Sequence, residues 1–173
     1  MVDELLLLSR AGEVDVPGEI LDIGELIDEA LDRWAGSAAD RNIKLTLDYK
    51  ASGGSVFCAR ADLERTIDVL FENAINYSQS GAEITIEAGP ESIVVADRGV
   101  GLEEGEEEVV FERFVRGSAG RTGAGGTGLG LPIARSLMLA WGADVSLSRR
   151  PGGGTVARID LPGQARRQPF TEA

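Results

Sequence analysis

The chain contains no histidine. That absence excludes Ser-His-Asp and Cys-His nucleophilic chemistry, histidine general-base catalysis and any zinc site built on imidazole. Cysteine is reduced to Cys58, so neither an internal disulfide nor a four-cysteine metal site can form, and a reducing compartment is expected. Cys58 itself reads as an inert core residue. No apolar run approaches the roughly 18–20 residues that span a bilayer. The first twelve residues also lack the basic start and small-residue cleavage site of a secretory signal, so the chain is expected neither to cross nor to enter a membrane. Basic residues are few, 17 against 29 acidic ones, for a net charge of −12. Such a surface opposes approach to a phosphate backbone or an anionic membrane and argues against general nucleic-acid binding.

What remains suits one folded domain. At roughly 100–200 residues per domain, 173 residues allow a single unit with short extensions, and 43% hydrophobic against 27% charged residues supplies a core. Met1, Leu5 and Leu8 follow helical spacing over residues 1–13. About ten residues cannot sustain a helix in water, so this is either the end of a longer helix or a terminal helix docked on the chain's own core. Residues 14–22, with Pro17 and Gly18, read as a linker. Residues 23–162 then carry the domain, and 163–173 read as a frayed tail.

Within that domain, Leu26, Ile27, Ala30, Leu31, Trp34 and Ala38 form one helical stripe. Ile43, Leu45, Leu47 and Tyr49 alternate with polar residues as a half-buried strand. A turn at Ser52-Gly53-Gly54, a short strand near Ser55 and a helix with the stripe Leu63, Ile67, Leu70 and Ala74 follow. Two strands flank Gly89-Pro90. Residues 102–126 change character, with an acidic run, an aromatic block and a glycine-rich stretch, and read as a mobile surface lid. A helix from about Gly128 to Trp141 and two strands joined through Gly152-Gly153-Gly154 complete the pattern. The order predicts a two-layer α/β sandwich, with one mixed, mostly antiparallel sheet and helices on one face.

Four short stretches can carry chemistry. Asn73 and Tyr77, four apart on the second helix, share a face beside the core stripe. The Asn73 amide oxygen is a hard ligand suited to magnesium, and Tyr77 could rim a pocket; taken alone, both are equally ordinary helix residues. Asp97 ends the apolar run Ile93-Val94-Val95-Ala96 and opens Asp-Arg-Gly-Val-Gly, with Gly99 and Gly101. A carboxylate there would be partly buried and would need donors. The exocyclic amine of adenine is a donor where the guanine carbonyl is an acceptor, which would select ATP over GTP, although aspartate-glycine turns are also common as plain loops. Gly126, Thr127, Gly128, Leu129, Gly130 and Leu131 open a helix, where free amides and the helix dipole meet phosphate oxygens. The same region contains a literal G-x-G-x-x-G at Gly123, Gly125 and Gly128, but no strand pattern leads into it, so the dinucleotide reading is rejected.

Taken together with Phe111-Glu112-Arg113-Phe114-Val115-Arg116, these stretches resemble, in order and spacing, the N, G1, F and G2 boxes of the ATP-binding catalytic domain of two-component sensor histidine kinases. The resemblance covers about residues 20–162, and residues 1–13 resemble the end of that family's dimerisation and phosphotransfer helix. It implies a Bergerat-type fold that loads ATP and Mg2+. Asn73 would bind magnesium, Tyr77 would pack at the base, and Asp97 would accept from the adenine amine in a pocket shaped by Gly99 and Gly101. Arg116 would contact the γ-phosphate and stabilise charge in transfer, which makes it a catalytic candidate with Asn73. Gly128, Leu129 and Gly130 would supply amides to the phosphates, with Gly126, Thr127 and Leu131 beside them, and Phe111 and Phe114 would anchor the lid. The implied partners are a histidine-bearing dimerisation domain of the same kinase and a response regulator, in the cytoplasmic portion of a membrane-anchored homodimer.

Three departures from the family pattern stand out. Val69 replaces the asparagine usual four residues before the magnesium ligand, and Asn76 replaces a lysine three residues after it, which weakens phosphate neutralisation. Gyrase-like ATPases and anti-sigma-type serine kinases place a general-base glutamate at the Val69 position. Valine cannot activate water or a hydroxyl, so the histidine kinase reading is favoured over both; Glu72 is a weak substitute base. The acceptor histidine is also missing, which implies a fragment or a partner of another chain. The alternatives carried forward are a regulatory module that holds nucleotide without transfer and a gyrase-like ATPase.

Overall fold

A computed structural model describes residues 16–49, 54–115, 117 and 127–162. The helix expected over 1–13, the 52–53 turn, the glycine-rich half of the lid and the 163–173 tail lie outside the described residues.

The long helices form where apolar residues recur at helical spacing. Helix α1 (Ile23–Asp40) buries Ile23, Leu26, Ile27, Ala30 and Ala38. Helix α2 (Arg60–Tyr77) buries Leu63, Ile67, Leu70, Phe71 and Ala74. Five strands form one sheet in the order β2 (Lys44–Tyr49), β4 (Glu83–Ala88), β5 (Ser92–Ala96), β7 (Thr155–Asp160), β6 (Asp144–Arg149). The β2–β4 pair is parallel and the others antiparallel.

Register aligns the inward residues into rows. Leu47 faces Ile86, which faces Val95, then Ala157 and Leu147; Ala88 faces Ile93, then Ile159 and Val145. These rows form a continuous apolar floor on which α1, α2 and α4 (Gly130–Ala140) pack. The opposite face carries Lys44, Thr46, Glu83, Glu87, Arg158 and Asp160, where Glu83 accepts from Lys44 Nζ at 3.0 Å and from Thr46 Oγ1 at 2.6 Å. One dry face and one wet face place all three long helices on the same side. The expected sandwich is the fold observed.

The linker expectation needs correction at its end. Glu19–Asp22 form strand β1, paired antiparallel with β3 (Ser55–Cys58) in a separate two-stranded sheet. Of its four residues only Leu21 is buried, so no alternation was available to mark a strand. The last of them, Asp22, is the N-cap of α1, and its Oδ1 accepts from the Glu25 amide at 3.0 Å. Asp22→Ala is expected to cost about 1 kcal/mol, seen as a fall of about 2–4 °C in thermal midpoint.

Beneath β1, the Cys58 thiol is buried, and desolvation, with Asp62 and Glu19 nearby, pushes it up to about 12. It stays a protonated, unreactive thiol. Within the lid, a one-turn helix α3 (Glu106–Val109) also appears where only mobile surface was expected.

Candidate functional site

Besides Thr66, which bonds within its own helix, the buried polar residues of the described core are Asp97 and Thr155, and these two meet. Asp97 follows β5 and is 5% exposed. Its Oδ1 accepts from the Gly99 amide at 2.7 Å and the Thr155 amide at 3.1 Å, and the Thr155 hydroxyl bonds the same carboxylate. Burial pushes the carboxyl above the usual aspartate value, while these bonds and the Arg150 charge oppose the shift. Arg150 in turn donates to the Asp97 carbonyl at 3.0 Å.

The backbone around Asp97 is packed against neighbouring main chain. A Cβ on Gly99 would fall 2.1 Å from the Tyr77 carbonyl oxygen, so the Asp97 turn lies directly on the end of α2. On the other side Gly154 has φ +102, and a Cβ there would fall 2.2 Å from the Asp97 carbonyl oxygen. Glycine is required at both places by space, and at Gly154 by backbone conformation as well.

Helix α2 turns a second face away from the core, bearing Arg65, Val69, Asn73, Asn76 and Tyr77. At the far wall, no side chain caps α4. Its first intrahelical bond runs from the Ile133 amide to the Leu129 carbonyl at 3.0 Å, and Pro132 has no N–H. The amides ahead of them, on Gly130 and Leu131, are those a first helical turn offers to an anion.

These walls enclose a cavity of about 250 Å³. Asn73, Tyr77, Asp97, Gly101, Thr127, Gly128, Gly130 and Leu131 all line it. Gly99 and Leu129 stand one layer behind, the first holding Asp97 and the second buried with its amide 3.4 Å from Thr127 Oγ1. Arg116 and Gly126 lie outside the described residues.

Sequence reasoning missed several lining residues. Thr155 opens β7 opposite Asp97, a placement that only the β5–β7 register reveals. Arg65 lies eight residues before Asn73 on the same helical face, a spacing that could have marked it. It is the one cation among the described lining residues, set against Glu72, Asp97 and Glu106. Val69 is 3% exposed, and a Cβ on Gly130 would come 3.4 Å from one of its methyls, so this part of the wall is apolar.

The lid's aromatic block divides. Phe111 packs against the core with the Arg135 guanidinium 4.6 Å over its ring. Phe114, expected as a second anchor, is 65% exposed. Its φ of +64 turns the side chain outward while its amide donates to the Gly128 carbonyl at 3.1 Å, so the contact it makes with the α4 loop is through backbone.

Residues 58–165 match the family described as Histidine kinase-, DNA gyrase B-, and HSP90-like ATPase. The chain belongs to this family. Among curated relatives, it is 34% identical over 169 residues to the sensor-like histidine kinase SenX3 of Mycolicibacterium smegmatis, covering 94% of this chain and 44% of SenX3. Among solved structures, a mycobacterial sensor histidine kinase MprB matches with TM-score 0.72 and 28% identity, over 84% of this chain and 97% of that one. Full-length ShkA, solved in complex with AMPPNP, shares the fold at TM-score 0.81 and 21% identity, over 93% of this chain and 35% of that one. The chain spans less than half the length of the curated relatives it matches. Within this ATPase family, its relatives are named sensor histidine kinases and its structural neighbours include histidine kinase catalytic domains. Among the described residues no helix is long and apolar enough to cross a membrane.

Proposed function

We propose that this domain binds Mg-ATP in the Asp97 cavity and passes the γ-phosphoryl group to a histidine outside this chain, on the dimerisation domain of a sensor kinase. The carrying observation is the buried Asp97 carboxylate, held by the Gly99 and Thr155 amides on the same cavity as Asn73 and the start of α4. A fixed, ionised acceptor reads the adenine amine and refuses the guanine carbonyl. The α4 amides and Arg116 receive the phosphates, and Arg116 balances charge as the γ-phosphorus leaves the ADP oxygen for the acceptor nitrogen. Imidazole is nucleophilic without a strong base, which accords with an apolar Val69 where a hydrolase needs a glutamate.

The donor set suits magnesium that arrives with nucleotide. No group of three or more His, Cys, Asp or Glu among the described residues could hold a metal ion, whereas Asn73 offers one hard oxygen on the cavity that the start of α4 also lines. Asn73 would hold the ion, and the ion supplies charge neutralisation at the phosphate oxygens. The setting we propose is the cytoplasmic part of a membrane-anchored homodimer that feeds a response regulator. The catalytic unit begins at β1, because β1 closes on β3, and ends near residue 162. A second reading, nucleotide held for regulation without transfer, draws on Val69 and Asn76.

Incubation with labelled ATP and the histidine-bearing domain of the parent kinase tests the choice. Acid-labile, base-stable phosphate on that domain is the expected result. Binding without transfer would favour the regulatory module, and phosphate release without an acceptor would overturn the kinase reading in favour of a hydrolase.

A further inference from the structure

Helix α3 is a single turn of acidic residues, Glu106, Glu107 and Glu108 followed by Val109. One turn cannot hold itself in water, and adjacent like charges oppose it. It is nevertheless fixed: locally, Glu106 Oε2 accepts from the Glu103 amide at 3.0 Å and Glu107 Oε2 from the Gly105 amide at 2.9 Å, and two distant elements supply cations. Arg135 of α4 donates through Nη1 to Glu108 Oε2 at 2.7 Å. The same guanidinium donates through Nε to Asp144 Oδ1 at 2.9 Å and through Nη2 to Asp144 Oδ2 at 3.4 Å. Its plane also lies over the Phe111 ring, 4.6 Å from the centroid. On the other side Arg149 of β6 pairs with Glu107 at 3.1 Å.

Arg135 itself cannot wander. It projects from a helix whose Ile133, Ala134, Leu137 and Met138 are buried in the core, and Asp144 holds its fork from the adjoining strand. One guanidinium thus joins a rigid helix, a sheet strand, the acidic turn and an aromatic ring. Glu106 of the turn it holds and Val110 just after it line the cavity, as do Gly130, Leu131 and Pro132 of α4.

We propose that Arg135 is a positioning residue that ties α3 and Phe111 to α4 and so fixes the cavity wall formed by Glu106 and Val110. The effect on the wall stands on the geometry alone. Its consequence for ligand affinity rests on the nucleotide reading above.

Arg135→Met keeps aliphatic bulk and removes the fork. Hydrogen exchange of the amides over 103–111 should accelerate about tenfold, equivalent to about 1.4 kcal/mol, with exchange in α1 and α2 unchanged. By calorimetric titration with Mg-ATP, the dissociation constant should rise about tenfold with binding stoichiometry preserved. An irreversibly misfolded fraction would lower stoichiometry and leave the affinity of the remainder unchanged, whereas reversible unfolding would weaken apparent affinity and also speed exchange in α1 and α2. Arg135→Lys retains charge without fork or stacking and should recover part of both effects. Glu108→Gln, at a side chain 76% exposed, cannot unfold the core and should shift both readouts in the same direction, about threefold. Unchanged exchange over 103–111 in Arg135→Met and Glu108→Gln overturns the tie. Faster exchange with unaltered Mg-ATP affinity overturns the link to the cavity. Failure of the unaltered chain to bind Mg-ATP would defeat the proposed function, while the exchange measurement would still decide the tie.

Discussion

Asp97→Asn is expected to weaken ATP binding by about 100-fold or more while leaving the free domain as stable as before, or more so. The asparagine carbonyl can keep the bonds that Asp97 Oδ1 accepts from the Gly99 and Thr155 amides. The other position then becomes an NH2, a donor turned toward the adenine amine, which is itself a donor. Two buried donors facing each other cost about 2–4 kcal/mol. Stability moves the other way. Burial raises the folded-state value of Asp97 above its ordinary 3.8, so at neutral pH the folded protein bears the cost of a desolvated charge that the unfolded chain does not. That cost is relieved as pH falls through the folded value toward 3.8. The neutral asparagine removes the cost at pH 7 and with it this part of the pH slope. Calorimetry with ATP and GTP, beside thermal melts from pH 7 downward, checks both halves. Equal ATP affinity in the two proteins would disprove the assigned pocket.

Gly154→Ala should have the opposite profile, with fold and site failing together. A methyl group there meets the Asp97 carbonyl oxygen at 2.2 Å and the Arg98 Cα at 2.8 Å, on a backbone with φ +102. Backbone strain of about 1–3 kcal/mol adds to overpacking of about 1–3 kcal/mol. At about 2–4 °C per kcal/mol for a domain of this size, the midpoint should fall by about 4–24 °C. The relief available is to move the start of β7 away from the Asp97 turn, which separates Thr155 from the carboxylate. Nucleotide affinity should therefore drop even at temperatures where the variant is folded. A melt within about 2 °C of the parent would show that the turn can yield, contrary to the main-chain packing described above.

Much of this was readable before any coordinates. The stripes of α1 and α2 and the alternation of β2 are local signals, repeated often enough to outweigh noise. Asn73 and Tyr77 follow from the same periodicity, and Asp97 is marked by the abrupt end of an apolar strand. The convergence of these residues with Gly128, Gly130 and Leu131 on one cavity was legible through family resemblance, because box order carries information that no single box does. Strand β1 was not legible, since one inward leucine makes no pattern. Helix α3 was not either, because its local bonds to the Glu103 and Gly105 amides are joined by ion pairs to Arg135 and Arg149, which lie far along the chain. Phe114 was misjudged as an anchor because sequence shows a phenylalanine but not the positive φ that points it outward. Thr155 needed a register, which is a property of two strands rather than of one segment.

The sequestration of Cys58 has a practical consequence. The chain's sole sulfhydryl is shut inside the fold and held as a neutral thiol, so maleimide or nitroxide reagents applied near neutral pH have no native target. A cysteine introduced at exposed Glu104, on the approach to α3, would be a unique attachment point. Fluorescence or spin-label mobility at that position could then follow the acidic turn directly, without first removing Cys58.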